Sequence, residues 1–412
     1  MRYARLSVVG SLLLALVWTL AAVDFSQAQS KVIKLGATIA LTGSASSTGK
    51  LYVDGRQLGL DTLNKPENAV KIGNDTYQLQ LVQYDDQSDA NLAVRLYEKL
   101  VTEDKVDFLI GPYTSAIVIP ASAVAEKYNI PMVQGGGAST NIFTRGFKNV
   151  FGTLPPGQDY HKEAVKMFAA AGYKTMALIY ADDAFSTDVG AGTRKYAVAA
   201  GFNIVVEEKY KNNETQFSSL VAKIKEANPD VIMSANHFGE AVAFVQQARS
   251  SGLDKDMVFT VGVSDPNFVK TLGAAAERVF GVEPWVPTLK SACGPIFNCA
   301  SDYAALFETG KDKNGAQVFK GFGYTPEYHN ANGTIELLTY KYAIEKAGSL
   351  DKDKVREALK AISFDSFYGP VKFSANGQID KSLVVIQIQN GKAVSVSPNA
   401  DAVAGPIFKK TQ

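Results

Sequence analysis

Residues 175–208, TMALIYADDAFSTDVGAGTRKYAVAAGFNIVVEE, contain the pattern that decides the fold. The short apolar run Thr175–Tyr180 predicts a buried strand, Thr187–Ala200 predicts a helix, and Asn203–Glu208 predicts a second strand. Strands that alternate with helices in this way form parallel sheets with helices on both faces. This unit therefore predicts an α/β protein.

The same alternation continues on both sides of this unit. Further strands are predicted at Lys31–Ala40, Tyr77–Tyr84, Val106–Ile110, Pro131–Gln134, Asp230–Ser234, Met257–Val261, Val371–Phe373 and Leu383–Gln389. Further helices are predicted at Tyr52–Asn64, Ser115–Lys127, Tyr160–Ala171, Gln216–Ala227, Glu240–Ser251, Pro326–Ala347 and Lys352–Ala361. Ser88 is expected to cap the helix that follows it, and Pro120 is expected to disturb or delay the start of its own helix.

Three breaks rich in Pro and Gly divide the strands into two sets. They are Leu154–Gly157, Glu283–Pro287 and Phe367–Pro370. Three breaks predict a chain that crosses three times between two doubly wound lobes with parallel sheets, which form a hinged clamshell. We assign residues 29–154 and 286–366 to lobe 1, and residues 155–285 and 367–412 to lobe 2.

The first 28 residues have the features of a secretory signal peptide. Arg2 and Arg5 precede the apolar run Leu6–Val23, and Ser26–Ala28 offers a cleavage site of small residues. A signal peptide is favoured over a membrane anchor because the run is short and a cleavage site follows it. The mature chain is expected outside the cytoplasm, and without a cysteine at the cleavage point no lipid anchor is predicted.

Composition excludes several classes of partner. The 412 residues contain 42 Lys and Arg against 41 Asp and Glu, which gives a formal net charge of +1. No block of Lys and Arg stands out, so neither nucleic acid nor an anionic membrane surface is an expected partner.

Two cysteines, Cys293 and Cys299, lie in a segment that carries turn residues. In an oxidising compartment these residues are expected to form a disulfide that closes a small loop. Two cysteines without a nearby histidine do not make a zinc site, so no metal is expected.

Two glycine-rich stretches resemble enzyme motifs but do not match them. Gly43–Lys50 resembles a phosphate-binding loop, but its first glycine is one position out of register and residue 51 is Leu. Gly135–Gly137 lacks the glycine spacing of a dinucleotide site. The acidic pairs Asp85–Asp86 and Asp182–Asp183 are interpreted as helix caps and hinge contacts. We therefore predict no enzyme activity and no cofactor, and a secreted hydrolase with dispersed catalytic residues stays open as a rival.

Three loops at the carboxyl ends of predicted parallel strands are candidate ligand-binding segments. They are Leu41–Thr48, Gly111–Ser115 and Gly135–Ser139, and they include the candidate ligand-binding residues Thr48 and Thr114. Hydroxyl groups and free backbone N–H groups at a helix N-terminus favour an anion, especially a carboxylate.

Five stretches match a known family in order and spacing: Lys34–Gly43 (KLGATIALTG), Val82–Asp86 (VQYDD), Val106–Ser115 (VDFLIGPYTS) with Pro120-Ala121, Tyr128–Gln134 (YNIPMVQ) and Gln246–Leu253 (QQARSSGL). In them the chain resembles the periplasmic leucine/isoleucine/valine-type solute-binding proteins of ABC transporters. The resemblance covers essentially all of the predicted mature chain. It implies the type I periplasmic-binding-protein fold, capture of a solute between the lobes, and delivery of that solute to a membrane permease.

The family's pattern implies roles for residues of the first lobe. Ser115 would bind the ligand carboxylate, with help from the backbone at Tyr113 and Gly136. Where the family usually has a threonine, this chain has Ala138, and the adjacent Ser139 is the expected substitute.

The second lobe departs from the family's pattern. Phe185 and His237 occupy positions where amino-acid binders have tyrosines. The family's ammonium-binding glutamate falls at Val263 and Ser264, neither of which is acidic, although Asp265 is adjacent. An ammonium group taken out of water needs a compensating anion or several acceptors. The resemblance with this departure implies a carboxylate ligand with an apolar or aromatic body.

We therefore expect a monomeric solute-binding protein for a small organic carboxylate, with Trp285 as a further candidate for the pocket wall, although ordinary packing explains that residue better. A rival is the same role for leucine-like amino acids, with Asp265 holding the ammonium. A rival of another class is a sensory domain that presents its ligand to a separate receptor.

Overall fold

The computed structural model describes residues 31–398 and 400–409. Most of its strands belong to two β-sheets, and helices pack against both sheets. The predicted signal peptide, residues 1–28, lies outside the described residues. In chain order the strands are β1 (Lys31–Ile39), β2 (Val70–Ile72), β3 (Asp75–Asp85), β4 (Phe108–Ile110), β5 (Met132–Gln134), β6 (Val150–Gly152), β7 (Thr175–Ala181), β8 (Asn203–Tyr210), β9 (Val231–Ala235), β10 (Asp256–Phe259), β11 (Phe280–Glu283), β12 (Cys293–Gly294), β13 (Asn298–Cys299), β14 (Ser363–Phe364), β15 (Val371–Lys372), β16 (Val384–Gln389) and β17 (Lys392–Ser397). The α-helices are α1 (Ser46–Leu63), α2 (Ala90–Thr102), α3 (Ser115–Lys127), α4 (Lys162–Ala170), α5 (Ala184–Ala199), α6 (Ser218–Ala227), α7 (Phe238–Ser250), α8 (Pro266–Leu272), α9 (Ala300–Thr309), α10 (Tyr328–Ala347) and α11 (Lys352–Lys360).

The strand orders confirm the predicted α/β fold with two lobes. The first sheet has the order β2-β3-β1-β4-β5-β6, and the second has the order β17-β16-β11-β10-β9-β7-β8. Neighbours are parallel within β3-β1-β4-β5-β6 and within β11-β10-β9-β7-β8. Helix α10 packs on α1 and β5 of the first lobe before the chain returns to β16 of the second. The lobe boundaries at residues 154, 285 and 366 stay predictions.

Antiparallel strands at the sheet edges were not predicted. Strand β2 pairs antiparallel with β3, and β16 pairs antiparallel with both β11 and β17. The β16–β17 connection is the dipeptide Asn390-Gly391, and both residues have positive φ values of 53° and 71°. Asn-Gly with this geometry is a strong hairpin signal, so the sequence did contain the information.

Three local predictions were wrong. Helix α1 begins at Ser46 rather than Tyr52, so the end of the Leu41–Thr48 loop is helical. Asp89, not Ser88, caps α2, because its carboxylate accepts the Leu92 N–H at 2.6 Å. Helix α3 starts at Ser115 and continues through Pro120 without delay.

Two further features complete the fold. A disulfide joins Cys293 to Cys299 across the short pair β12–β13. In the part of the chain that the structure describes, no helix is both long enough and apolar enough to cross a membrane.

A buried ion pair connects helices that lie far apart in the sequence. Arg56 on α1 and Glu336 on α10 are 3.1 Å apart, with side chains 1% and 0% exposed. Arg56 also donates to Gln83 and to the Gly111 carbonyl, while Glu336 accepts the Gly135 N–H at 2.7 Å. Burial raises the pKa of Glu336 to about 7, against the opposing effects of Arg56 and this N–H group.

We expect Arg56→Met to lower the free energy of unfolding by about 3–5 kcal/mol, because the change leaves a buried carboxylate without its cation. Denaturant unfolding followed by circular dichroism measures the effect. The control is Lys209→Met, which removes an ion pair with Asp182 whose side chains are 48% and 60% exposed, and should change stability far less. Equal effects of the two substitutions would contradict the structural role of the buried pair.

Candidate functional site

Two loops of the first lobe lie side by side at the carboxyl ends of β4 and β5. These strands are parallel neighbours, so the loops that follow them leave the sheet at the same edge, where α/β sheets place ligands. A Cβ atom at Gly136 would lie 2.0 Å from the Pro112 carbonyl oxygen. Only glycine permits this close backbone contact, which holds the second loop against the first.

Ser115 connects the two loops through its hydroxyl group. Its Oγ accepts the N–H groups of Ala138 at 3.1 Å and Ser139 at 3.2 Å. Because both contacts use the oxygen as acceptor, the hydroxyl hydrogen is free to donate to a ligand. Ser115 is the first residue of α3 and is 2% exposed, so this donor lies at a buried helix N-terminus, which favours negative charge.

A small cavity in front of Ser115, here called the inner pocket, has mostly aromatic walls. Its volume is about 10 Å³, which is room for about one water molecule. The Tyr160 and Phe185 rings meet edge to face at 5.0 Å, and the Phe185 and His237 rings lie 5.7 Å apart. The residues that line the pocket, none of them acidic, are Tyr113, Ser115, Gly136, Ala138, Leu154, Tyr160, Phe185, His237, Val261 and Tyr328.

A larger and more polar space, the outer cleft, adjoins the inner pocket and shares Tyr113 and His237 with it. Its volume is about 340 Å³. Hydroxyl and amide side chains are the largest group among its lining residues, and three acids accompany them; the residues are Ser44, Ala45, Ser47, Thr48, Ser88, Ala90, Tyr113, Thr114, Ala116, Ile117, Asp183, Asn212, Asn213, Glu214, Thr215, His237, Phe238, Gly239 and Glu240.

His237 forms a polar contact between the lobes where these two spaces meet. Its Nδ1 lies 3.3 Å from the Tyr113 hydroxyl oxygen, and its Nε2 lies 3.6 Å from Asp183 Oδ1. Burial disfavours the charged ring, but Asp183 and then Glu240 outweigh this effect and raise the pKa of His237. Burial likewise opposes ionisation of Asp183, but His237 and Ser186 lower the pKa of Asp183 to about 2.

The predicted site residues fall into separate groups. Tyr113, Ser115, Gly136, Ala138, Phe185 and His237 line the inner pocket, and Thr48 and Thr114 line the outer cleft. Ser139 is buried and lines neither space. Its N–H group donates to Ser115, while its own hydroxyl accepts the Asn141 N–H at 3.4 Å.

The structure does not bring Val263, Ser264 and Asp265 to the inner pocket, which corrects their predicted grouping with Ser115. They line a different cavity of about 660 Å³, together with Trp285; we call it the Trp285 cavity. The reason is local, since Val263 lies over Gly281 in the core and Asp265 caps α8 through the Asn267 N–H.

Trp285 packs in the core as ordinary packing predicts. It is fully buried, its indole N–H donates to the Phe367 carbonyl at 2.9 Å, and its ring meets Tyr303 edge to face.

The sequence analysis missed four lining residues of the inner pocket. Leu154 and Tyr160 flank the first break between the lobes, Val261 lies just after β10, and Tyr328 begins α10. For Leu154 and Tyr160 the available signal was their place beside the first predicted crossover, because the crossover segments border the cleft, whereas no sequence pattern marked Val261 or Tyr328.

Comparison with known proteins identifies the family. Residues 32–393 match the family model described as periplasmic binding protein. The chain belongs to this family. Its type is that of the branched-chain amino acid binders, as the sequence resemblance indicated.

One sequence relative and two solved structures of similar fold illustrate what this chain resembles. The chain is 27% identical over 432 residues to the Leu/Ile/Val-binding protein homolog 8 of Brucella abortus (strain 2308), with 100% of both chains covered. The leucine binding protein LivK of Thermotoga maritima superposes with a TM-score of 0.77 at 22% identity, covering 89% of this chain and 98% of that one. A solute binding protein from R. palustris, solved in complex with benzoate, gives a TM-score of 0.76 at 20% identity, covering 92% and 99%.

We expect the stabilisation contributed by His237 to fall as the pH rises. Because the pKa of folded His237 is raised above 6.5, its interaction with Asp183 is fully present below that pH and is lost as the pH passes the raised value. His237→Gln should therefore destabilise the protein more at about pH 6 than at about pH 9, as measured by urea unfolding.

His161→Gln is the matched control for this prediction. Burial lowers the pKa of His161 to about 3, so that ring stays neutral in the folded protein but takes up a proton in the unfolded chain below its ordinary pKa of 6.5. The cost of its loss should therefore be smaller at about pH 6 than at about pH 9, which is the opposite direction to that expected for His237. A His237→Gln cost that is the same at both pH values would show that folding does not raise the pKa of His237.

Proposed function

We propose that this protein binds a small organic carboxylate with an aromatic body in the periplasm and delivers it to an ABC-type importer. The ligand occupies the inner pocket, and the lobes close over it. The protein acts as a monomer, without a cofactor and without catalysis, and its signal peptide is removed near Ala28. Membership of the periplasmic binding protein family supports the general role.

The Ser115 arrangement is the observation that carries the ligand assignment. Two backbone N–H groups fix the position of the Ser115 oxygen, so its hydroxyl hydrogen is directed to a carboxylate oxygen at little further cost in entropy. The Gly136 backbone lies beside it in the same pocket. A carboxylate receives charge-assisted hydrogen bonds from such donors, and these are stronger than neutral ones.

The remaining walls favour an aromatic body over an ammonium group. Tyr160, Phe185 and Tyr328 offer ring faces and edges to a flat ligand. No acidic side chain lines this pocket. An ammonium group without a compensating anion would therefore pay a desolvation free energy that no ion pair offsets. The R. palustris protein of similar fold was solved in complex with benzoate, which supports this choice of ligand.

Leucine-like amino acids are the second candidate ligand. The names of two relatives, a Leu/Ile/Val-binding homolog and a leucine binding protein, favour this alternative. Asp265, which the sequence favoured for the ammonium, lines a separate cavity. An acid of the adjoining outer cleft would have to supply the anion instead, and Asp183, 3.6 Å from the pocket residue His237, is the candidate. Asp183→Asn would then abolish amino-acid binding.

A thermal-shift screen of the protein, unfolded and refolded to remove bound solute, tests the proposal. We expect aromatic acids to stabilise it and leucine, isoleucine and valine to have no effect. A ligand at 100 times its Kd adds about 2.7 kcal/mol to the free energy of unfolding. Stabilisation by leucine-like amino acids, lost in Asp183→Asn, would replace the aromatic acid by the second candidate.

Ser115→Ala should weaken binding of the acid found in that screen by about 1–3 kcal/mol, the usual contribution of a hydrogen bond to a charged group. Isothermal titration calorimetry measures the change. Ser139→Ala is the matched control, because the Ser139 hydroxyl is also buried but accepts only the Asn141 N–H. An unchanged affinity in Ser115→Ala would refute the assignment of the carboxylate to this hydroxyl.

A further inference from the structure

Two tyrosines that line the inner pocket have hydroxyl groups without a hydrogen-bond partner. Tyr160 and Tyr328 are 1% and 2% exposed. Within the described part of the chain, neither hydroxyl forms a hydrogen bond. A buried tyrosine hydroxyl usually finds a partner, because leaving it unpaired costs free energy. The pocket therefore contains two polar groups that contacts within the described protein leave unused.

The other deeply buried tyrosines show that this exception is confined to the pocket. The hydroxyls of six more tyrosines with 0–2% exposure each donate to a carbonyl or carboxylate oxygen; these are Tyr52, Tyr97, Tyr173, Tyr303, Tyr340 and Tyr368. Tyr113, the third tyrosine of the inner pocket, also has a partner, since its hydroxyl oxygen lies 3.3 Å from His237 Nδ1. Burial alone thus does not explain the unpartnered hydroxyls of Tyr160 and Tyr328.

The two unpartnered oxygens keep contact with the pocket space. Fully enclosed polar atoms without a partner occur elsewhere, for example at His161 Nε2, but the oxygens of Tyr160 and Tyr328 are not among them. Since these oxygens lack a partner, the small accessible surface of each side chain must include its hydroxyl. Both side chains line the inner pocket, so both hydroxyls can reach a ligand there.

Local contacts fix the positions of both rings. The Gly157 N–H donates to the Ala138 carbonyl of a ligand loop at 2.8 Å, and the Tyr160 N–H donates to the Gly157 carbonyl at 3.2 Å. The ring of Tyr328 packs on that of His329, with centroids 3.7 Å apart. Groups positioned in this way lose little further entropy when a ligand binds.

The electrostatic surroundings of these hydroxyls favour a neutral ligand group. Burial, followed by Tyr368, Tyr113 and Glu283, raises the pKa of Tyr160. Burial, followed by Tyr113, Tyr160 and Glu283, raises the pKa of Tyr328. The same burial and the same acid would disfavour a second carboxylate beside these hydroxyls. An ammonium group would lack a compensating anion on the pocket wall.

We propose that the aromatic acid bound by this protein carries a hydroxyl group on its ring, which Tyr160 and Tyr328 hold. The ring hydroxyl donates a hydrogen bond to one tyrosine oxygen and accepts one from the other. This inference rests on the proposed function, because it requires an aromatic acid whose carboxylate Ser115 binds. An acid without the ring hydroxyl would leave both tyrosine hydroxyls unpaired, and the site therefore discriminates against it.

Isothermal titration calorimetry with matched acids tests the preference. The protein, unfolded and refolded to remove bound solute, is titrated with benzoate, 3-hydroxybenzoate and 4-hydroxybenzoate. We expect one of the hydroxybenzoates to bind at least about tenfold more tightly than benzoate. Terephthalate and 4-(aminomethyl)benzoate, which place a carboxylate or an ammonium group on the ring instead, should bind more weakly than the preferred hydroxybenzoate.

Substitutions identify the residues that hold the ring hydroxyl. Tyr160→Phe and Tyr328→Phe keep the aromatic rings, so each should raise the Kd of the preferred hydroxybenzoate about three- to tenfold without weakening benzoate binding. The control is Tyr303→Phe, because the Tyr303 hydroxyl is also buried but donates to the Asn330 carbonyl at 3.1 Å and lines neither pocket nor cleft. Its Kd values should match those of the parent.

The stability of the ligand-free variants provides a second readout. The Tyr160 and Tyr328 hydroxyls have no hydrogen bond to lose, so Tyr160→Phe and Tyr328→Phe should not lower the Tm. Tyr303→Phe removes contacts with Asn330 and Thr334 and should lower it. An equal fall in Tm for all three variants would mean that the pocket hydroxyls have structural partners, which would overturn the proposal.

Three binding results would also overturn the proposal. They are the absence of any preference for a hydroxybenzoate over benzoate, tighter binding of terephthalate or 4-(aminomethyl)benzoate, and an equal loss of benzoate and hydroxybenzoate binding in Tyr160→Phe and Tyr328→Phe. The last result would place the carboxylate at the tyrosines. Any of them, together with binding of benzoate, retains the aromatic-acid function and removes only the ring hydroxyl, whereas failure of every aromatic acid to bind refutes both.

Discussion

The buried pair Arg56–Glu336 is the interaction on which the candidate site depends. Arg56 holds the carbonyl of Gly111, and Glu336 holds the N–H of Gly135, so one ion pair fixes the beginning of both ligand loops. The Tyr52 hydroxyl donates to the Gly135 carbonyl from the same side. Burying two charges is costly and is tolerated only when their hydrogen bonds are satisfied. Here the Gly111 carbonyl and the Gly135 N–H of the two loops form some of these hydrogen bonds.

The geometry in front of this pair follows from it. With both loops fixed, Gly136 can touch the backbone at Pro112, and the Ala138 and Ser139 N–H groups can reach Ser115 Oγ. The donor is thus positioned before any ligand arrives, which lowers the entropic cost of binding. Most aromatic residues of the inner pocket lie outside the two loops. The loops of the first lobe therefore provide the hydrogen-bond donors, and residues from the rest of the cleft form the walls. With room for only about one water, the inner pocket must open to admit a ligand.

The sequence predicted the fold and the two loops because both depend on local patterns. Alternating strands and helices define the sheets, and glycine, serine and threonine after β4 and β5 mark the ligand edge. Arg56 and Glu336 could not be paired from the sequence, since 280 positions separate them and each lies in a helix without a distinguishing motif. The segment around Val263 was misplaced because Gly262 has a φ of +100°. That turn directs Val261 to the inner pocket and Val263 to the core within two residues.

The start of α10 separates the inner pocket from the acids of the Trp285 cavity. Glu327 caps this helix and faces the Trp285 cavity, whereas Tyr328, the next residue, lines the inner pocket. Glu327 is the N-cap and has an extended backbone (φ −119°, ψ −174°), whereas Tyr328 is the first helical residue, so the two side chains leave the backbone in different directions. His329 then packs edge to face on Tyr113 and holds Glu327 by its Nδ1. Because the ring of Tyr328 lies on the side of the inner pocket, the carboxylate that we propose at Ser115 would meet this ring rather than the carboxyl groups of Glu327 and Asp265.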